Sequence, residues 1–343
     1  MIATTFHAMG TAWWIRTNRP ARSTRPHDDA GPQRHLAQAE ALVRDLEAKL
    51  SRFRPRSSLS LLNATRDVTC PTLAAVTKIA LEIQAATDGA FDPTLGAELV
   101  ALGYDRTFEA IRRRPRRGPL PVVARSATVV SVDGERVRLE GPGSLDLGGI
   151  AKGYAVDRVL EFLLERGATS VLIDGGGDLR GAGPSVPVGI GDDLVIETRH
   201  GAIATSSTLE RRWLDPREKS DPRGQYFHHI IDPATGLSSD SPIVIATVVA
   251  ADTASADALA TALLVAPEVV IAQLAARFAH ALVRDRDGRW WTSPGAPFVA
   301  PQDAPRTSPP PTSQPLRSAR PARDSRLDPR THHSNQTRSR RAP

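Results

Sequence analysis

Hydrophobic positions recur with a helical period in some segments of the chain. Apolar side chains three or four residues apart predict amphipathic helices over 35–53, over 72–87 and from about Ile150 to Arg166. Gly167, directly after the third segment, suits a helix C-terminus. The stretch "TASADALATALLV" (253–265) predicts one more helix.

Other segments have the alternation or the short apolar runs typical of strands. "ATTFHAMGTAWWI" (3–15) predicts one strand, and "TVVSVDGERVRL" (128–139) predicts a hairpin that turns at Asp133-Gly134. Further strands are predicted in "SVLID", "DLVIETR", "GAIATS" and "PIVIATVVAA", and a last hairpin runs from "HALVRD" to Trp290-Trp291. Because strands and helices mix without the regular alternation of a doubly wound sheet, we predict an α+β fold with mixed sheets.

The composition is that of an ordinary globular protein. The chain has 343 residues, 40% of them hydrophobic, and its single cysteine excludes an internal disulfide framework and a thiolate metal cluster. Its first residues lack the basic and apolar regions of a secretory signal, and no apolar run approaches the roughly 20 residues of a spanning helix. We therefore expect a cytoplasmic protein without a membrane span, unless a start codon assigned too far downstream hides a leader.

The basic charge of the chain is concentrated at its end. Residues 301–343 hold nine arginines and three aspartates, which equals the formal charge of +6 of the whole chain, so the body is neutral overall. The tail has almost no large apolar residue, which predicts a globular domain over 1–299 and a disordered tail over 300–343. We expect no nucleic-acid partner; the alternative is a tail that binds nucleic acid or a membrane surface.

The stretch "LDLGGIAKGYAVD" (145–157) combines a carboxylate, two glycines and a lysine just before the third helix. Glycines allow a ligand close to the backbone, and free N–H groups at a helix start bind phosphate. Lys152 in the first helical turn faces the positive end of the helix dipole, which favours a bound anion there. The alternative is a strand-to-helix turn with a surface lysine.

Two further stretches offer a metal site and a ring-binding turn. Asp257 and Thr261 lie four residues apart on one helical face, an oxygen-only pair that suits Mg²⁺. In "DGAFDPTLG" (88–96), Phe91 and Asp92 form a turn able to clasp an aromatic ring. The alternatives are purely structural: Asp257 in a first helical turn, Thr261 bonded to its own helix, and Asp92 capping the turn at Pro93.

"HHIIDPATG" (228–236) places two histidines before an apolar pair and an Asp-Pro turn. In a strand, His228 and His229 point to opposite faces, so they do not ligate one metal together. One of them is a candidate general base near neutral pH, and a core or surface histidine is the alternative.

The order and wording of these stretches resemble the FAD:protein FMN transferase (ApbE) family. The matching segments run from Met9 to about Val265 and cover nearly the whole body. They are "MGT", "LSRFRPRSSLSLLN", "DGAFDPTLG", "LDLGGIAKGYAVD", "IDGGGDLR", "AIATSS", "HHIIDPATG" and "ADALATAL".

The resemblance implies an enzyme with a central flavin-nucleotide cleft. Such an enzyme uses Mg²⁺ to cleave the pyrophosphate of FAD and transfers FMN to a threonine of an acceptor protein, with release of AMP. By the same resemblance, His229 is the base, Lys152 meets the pyrophosphate, and Gly149, Asp257 and Thr261 hold the metal. The residues implied in FAD binding are Met9, Phe53, Ala90, Phe91, Asp92, Asp146, Lys152 and Ile231.

Two positions depart from the family pattern. Phe53 stands where tyrosine is common, and Ser207 stands where glycine is usual. Neither change removes a charged or metal-binding group. Two other functions remain open from the sequence: a Mg²⁺-dependent FAD pyrophosphatase that gives FMN and AMP, and a non-catalytic FAD-binding protein.

Overall fold

An eight-stranded antiparallel sheet forms the centre of the computed structural model, with strand order β1-β2-β6-β7-β10-β13-β14-β15. The structure describes residues 1–18, 31–113, 128–184, 186–190, 194–198, 201–214, 226–274, 276, 279–296 and 298–299. The strands of this sheet are β1 (Ile2–Ala8), β2 (Thr11–Thr17), β6 (Val171–Asp174), β7 (Asp178–Ala182), β10 (Ala202–Ser207), β13 (Ile243–Ala250), β14 (His280–Asp285) and β15 (Trp290–Thr292).

Smaller sheets and eight helices complete the described fold. The small sheets contain β3 (Asp67–Thr69), β4 (Val129–Asp133), β5 (Arg136–Glu140), β8 (Val186–Ile190), β9 (Leu194–Thr198), β11 (Arg212–Leu214), β12 (Tyr226–His228) and β16 (Phe298–Val299). The helices are α1 (Pro32–Leu50), α2 (Ser58–Thr65), α3 (Pro71–Ala86), α4 (Gly96–Ala101), α5 (Phe108–Arg113), α6 (Ala151–Glu165), α7 (Thr253–Leu263) and α8 (Pro267–Leu274). The predicted α+β class is confirmed.

Helices α6 and α7 pack on the central sheet and on each other. α6 contacts β6 and β7, and α7 contacts β10 and β13. Val159 and Leu163 of α6 and Leu259 and Leu263 of α7 are almost completely buried, as the apolar stripes of the two helices require. α6 spans 151–165, within one residue of the predicted helix at each end.

The crossing of α6 and α7 depends on a glycine and a buried carboxylate. A Cβ on Gly153 would lie 2.3 Å from the carbonyl oxygen of Thr253, so only glycine permits this approach of the two backbones. Asp157 of α6 accepts hydrogen bonds from the backbone N–H groups of Thr253 and Ala254 and from Arg180. Its carboxylate thus satisfies free donors at the N-terminus of α7 and fixes that helix against α6.

The single strand predicted over 3–15 is wrong in one respect, because the segment is a hairpin. β1 and β2 pair in antiparallel register, and the chain reverses at Met9 and Gly10, whose φ values are 52° and 73°. Two consecutive left-handed residues make the tight turn that matches the twist of paired strands. Alternation alone continues through such a turn and does not reveal it.

The described residues belong to one compact unit. The predicted boundary at 299/300 stays a prediction, and the predicted tail over 300–343 lies outside the described residues. Within the described part, no helix has the length and apolar character needed to cross a bilayer.

Candidate functional site

Lys152 lies at the start of α6 in a buried, carboxylate-rich environment. Its Nζ donates to Asp178 Oδ2 and lies 3.4 Å from Asp257 Oδ2, and its side chain is only 15% exposed. Burial alone would lower the pKa of Lys152, but the two carboxylates outweigh this effect and raise it. Lys152 is therefore a charged, largely buried residue, and the surface-lysine alternative is wrong.

Asp257 approaches the N-terminus of α6 from α7. Its Oδ2 lies 3.4 Å from the backbone nitrogen of Gly153 as well as from Lys152 Nζ. α6 begins after Ile150 without a side-chain cap, so the carboxylate meets free N–H groups and the positive end of the helix dipole. This placement explains how an aspartate that is 2% exposed keeps a favourable environment.

Asp178 is the second carboxylate next to Lys152 and is completely buried. It is the first residue of β7, directly after a turn in which Asp174 accepts hydrogen bonds from Gly176 and Gly177. Burial and the neighbouring Asp257 raise the pKa of Asp178, although Lys152 opposes the shift. Two acidic side chains thus share one ammonium group.

Two hydroxyl groups, of Thr261 on α7 and Ser206 on β10, lie next to each other. Thr261 Oγ1 lies 3.4 Å from Ser206 Oγ of β10, and it would lie 3.0 Å from a Cβ on Gly149. The same position on Gly149 is 3.2 Å from the ring of Phe91. Gly149, Thr261 and Phe91, which the sequence places far apart, therefore lie together.

The donor set has the chemistry of a hard divalent cation. Asp257, Thr261 and Ser206 offer oxygen atoms, and oxygen is the ligand that Mg²⁺ prefers. Among the described residues, no group of three or more His, Cys, Asp or Glu side chains is placed to hold a metal. A cation here would consequently depend on one carboxylate, on neutral oxygens and on oxygens of a bound substrate.

Asp146 forms an ion pair that the sequence analysis did not anticipate. Its Oδ2 lies 2.5 Å from Arg52 Nε, and its Oδ1 accepts from the backbone nitrogen of Gly148. The guanidinium also donates to the carbonyl oxygen of Tyr104 at 2.6 Å, and its Nη2 has no hydrogen-bond partner. Arg52 therefore orients Asp146 and retains a free donor.

Aromatic side chains line the region beside this ion pair. The Arg52 guanidinium lies 4.1 Å from the ring centroid of Phe53 and 4.6 Å from that of Tyr104. Tyr104 stacks on Trp213 at 5.4 Å, and the edge of His229 approaches Tyr104 at 6.5 Å. Ile231 belongs to the same apolar cluster. Such a wall of flat side chains suits a planar aromatic ligand.

The two histidines have different environments, as predicted from their adjacency. His228 ends β12, is buried and makes a hydrogen bond of 3.1 Å through Nε2 with the carbonyl oxygen of Ser239. Burial lowers its pKa to about 4. His229 is half-buried, and its Nδ1 has no hydrogen-bond partner. Burial and the nearby Arg211 hold its pKa well below the usual value, so the ring is neutral at pH 7 and able to accept a proton.

The turn at 90–92 has a structural role that is visible in its hydrogen bonds. Asp92 Oδ1 accepts from the backbone nitrogen and the hydroxyl of Thr94 and from Gln84 Nε2, each within 2.8 Å. The capping role considered for Asp92 is thus present. Ala90 and Phe91 are buried, and Met9 lies in the turn between β1 and β2 and packs partly against the main core.

Comparison with known proteins identifies the family. The ApbE family model matches residues 9–283. The chain belongs to the ApbE family. Curated relatives in this family include the FAD:protein FMN transferase of Treponema pallidum, 31% identical over 259 residues that cover 66% of this chain and 70% of the relative. The FAD:protein FMN transferase of Haemophilus influenzae is 29% identical over 252 residues, with 67% and 71% covered.

Solved ApbE structures share the fold of this chain. The ApbE protein of Thermotoga maritima has a TM-score of 0.66 and 26% identity, and the match covers 84% of this chain and 96% of the other. The apo form of the Pseudomonas stutzeri flavinyl transferase ApbE also has a TM-score of 0.66, with 25% identity and coverage of 85% and 94%. Both the family and the α+β fold are therefore confirmed.

Three polar residues of the cleft received no role in the sequence analysis. They are Arg52, which binds Asp146, Asp178, which binds Lys152, and Ser206, which lies beside Thr261. Each belongs to a segment that the resemblance quotes. The only local signal was for Asp178, a charged residue directly after the glycine-rich turn that follows an apolar strand.

Proposed function

We propose that this chain is a Mg²⁺-dependent FAD:protein FMN transferase that attaches FMN to a threonine of an acceptor protein and releases AMP. The observation that carries the proposal is that Lys152 and Asp257 lie 3.4 Å apart at the start of α6, while Thr261 of α7 lies close to Gly149 just before that helix. Relatives with the same family match are named for this activity. In this proposal the pyrophosphate lies beside Lys152 and the cation, and the flavin lies beside the aromatic cluster of Phe53, Tyr104 and Trp213.

The oxygen donors fit a magnesium ion. Asp257, Thr261 and the backbone carbonyl of Gly149 would hold it, with Ser206 as a neighbouring hydroxyl. When bound, the cation supplies charge stabilisation on the phosphate oxygens.

Each candidate binding residue has a role consistent with its contacts. Lys152 would neutralise charge on the pyrophosphate, and the positive end of the α6 dipole would favour the same anion. Asp146, oriented by Arg52, would accept hydrogen bonds from the nucleotide, and Phe53 would contact the flavin ring. Met9, Ile231 and the turn Ala90-Phe91-Asp92 would shape the remaining walls of the pocket.

In the transfer step, the acceptor threonine oxygen forms a bond to the FMN phosphorus while the bond from that phosphorus to the bridging oxygen breaks. His229 would accept the threonine proton, because its ring is neutral at pH 7. AMP leaves with the bridging oxygen, and Lys152 stabilises the negative charge that develops on the phosphates. Water in place of threonine gives the pyrophosphatase reaction with the same groups.

The test combines purified protein with FAD, Mg²⁺ and a flavin-acceptor domain, followed by intact-mass spectrometry. We expect an FMN-sized mass on one threonine and AMP in solution. Unmodified acceptor with accumulating FMN and AMP would assign the pyrophosphatase instead, and FAD retained intact would assign a flavin-binding protein. Asp257→Ala is expected to abolish metal-dependent turnover, and unchanged activity in that variant would remove Asp257 from the site.

A further inference from the structure

The role of Asp178 follows from its buried contact with Lys152. Asp178 and Asp257 are both buried, with side-chain exposures of 1% and 4%, and Lys152 Nζ contacts both of them. The contact with Asp178 is the closer one, and that with Asp257 is 3.4 Å. Lys152 therefore has a dedicated partner on β7 and a weaker one on α7.

We propose that Asp178 is a positioning residue that anchors Lys152 and so leaves Asp257 available to a divalent cation. This inference rests on the proposed metal site. Without Asp178, Asp257 would be the remaining carboxylate partner of Lys152 Nζ among the described residues, and the ammonium would pair with the oxygen that the metal needs. With Asp178 present, the lysine stays in the cleft beside the cation instead of competing with it.

Three features of Asp178 support anchoring. Its backbone is held by the ladder between β7 and β10, where it lies opposite Ala204, and by the turn that Asp174 closes. One carboxylate oxygen binds Lys152, whereas Oδ1 is buried without a hydrogen-bond partner. The oxygen that binds Lys152 is thereby directed to the ammonium group.

The experiment measures metal affinity without FAD or acceptor. Mn²⁺ serves as the probe, with binding followed by electron paramagnetic resonance and by calorimetry, on the full chain. Asp178→Asn keeps the shape and removes the charge, and we expect Mn²⁺ binding to weaken by about 10- to 100-fold. Lys152→Met alone is expected to bind Mn²⁺ at least as tightly as the wild type while losing affinity for FAD, because Asp178 already holds the ammonium away from the metal oxygen.

The decisive variant is the double change Asp178→Asn with Lys152→Met. If Asp178 acts by holding Lys152, removal of the lysine restores Mn²⁺ affinity to near the wild-type value. Affinity that stays as weak as in Asp178→Asn would overturn the anchoring role, because it would mean that Asp178 ligates the metal or is needed for folding. Wild-type affinity in Asp178→Asn alone would overturn it as well.

Two controls separate failure of this inference from failure of the proposed function. Asp285→Asn changes another buried aspartate, on β14, which accepts hydrogen bonds from the Trp291 ring and from the backbone nitrogen of Arg289. We expect this variant to have unchanged Mn²⁺ affinity. Thermal unfolding of each variant reports folding. No Mn²⁺ binding by the wild type would overturn the metal site and this inference together, whereas wild-type binding that Asp178→Asn does not alter would overturn this inference alone.

Discussion

Gly153→Ala tests whether the close contact between α6 and α7 positions the candidate metal ligands. A Cβ at this position would lie 2.3 Å from the carbonyl oxygen and 2.6 Å from the carbonyl carbon of Thr253, and 2.9 Å from Ala254 Cα. These are backbone atoms, so no side-chain rotation relieves the contact. Since a carbon–oxygen contact needs about 3.3 Å, the helices must separate by about 1 Å.

The stability cost of this change is the difference between two effects. Overpacking of this kind costs about 1–3 kcal/mol, and alanine in a helix gains about 1 kcal/mol over glycine. We therefore expect thermal unfolding to report a net loss of up to about 2 kcal/mol. The functional loss is expected to be larger, because a 1 Å displacement of Asp257 and Thr261 is enough to lower the rate of a positioned reaction by about 100-fold.

The assays for Gly153→Ala are thermal unfolding, Mn²⁺ affinity and the rate of FMN transfer to the acceptor. Gly201→Ala is the matched control, because its new Cβ would meet Val249 Cγ1 at 3.4 Å and the Ala250 oxygen at 3.7 Å, both ordinary contacts. We expect the control to behave as the wild type. If Gly153→Ala retains wild-type unfolding, affinity and rate, the helix crossing does not position the site.

Three other predictions concern titratable or charged side chains that are wholly or largely buried. Asp157→Asn is expected to lower stability by about 3–5 kcal/mol in denaturant unfolding, since Arg180 then loses its buried partner; a loss below about 1 kcal/mol would contradict the capping of α7. Arg52→Met leaves Asp146 unoriented and is expected to weaken FAD binding about tenfold by fluorescence titration, and unchanged affinity would count against this role. Burial lowers the pKa of His228 from 6.5 to about 4, so the folded protein is destabilised as the pH falls from 6.5 towards 4 and the unfolded chain takes up a proton first. This loss of stability is about 3 kcal/mol at most, and His228→Gln should flatten the pH dependence of unfolding.

The sequence predicts the elements of this site better than the contacts between them. The period of α6 and the spacing of Asp257 and Thr261 are local properties, and the structure has both helices where the pattern places them. The hairpin at Met9-Gly10 escaped prediction because alternating apolar residues continue across a two-residue turn. A pattern of hydrophobicity alone does not show which residues adopt the left-handed conformation of the turn.

The ion pairs of the cleft were beyond sequence reasoning for a different reason. Arg52 and Asp146 are far apart in the chain and meet only because the loop after α1 reaches the loop before α6. Asp178 meets Lys152 because β7 lies beside β10 under the N-terminus of α6. Such pairings depend on sheet order and helix packing, which spacing along one chain does not specify.

The arrangement also explains why a lysine is tolerated in the first turn of α6. The positive end of a helix dipole disfavours an ammonium group, yet here two carboxylates from β7 and α7 face the same turn. If a divalent cation engages Asp257, the positive groups of the site are the cation, Lys152 and the N-terminus of α6. Together they outweigh the two acidic side chains, so the net potential towards a pyrophosphate is positive. If Asp257 were the sole partner of Lys152, cation and lysine would exclude each other. The second carboxylate is therefore what allows both positive groups to act on one anion.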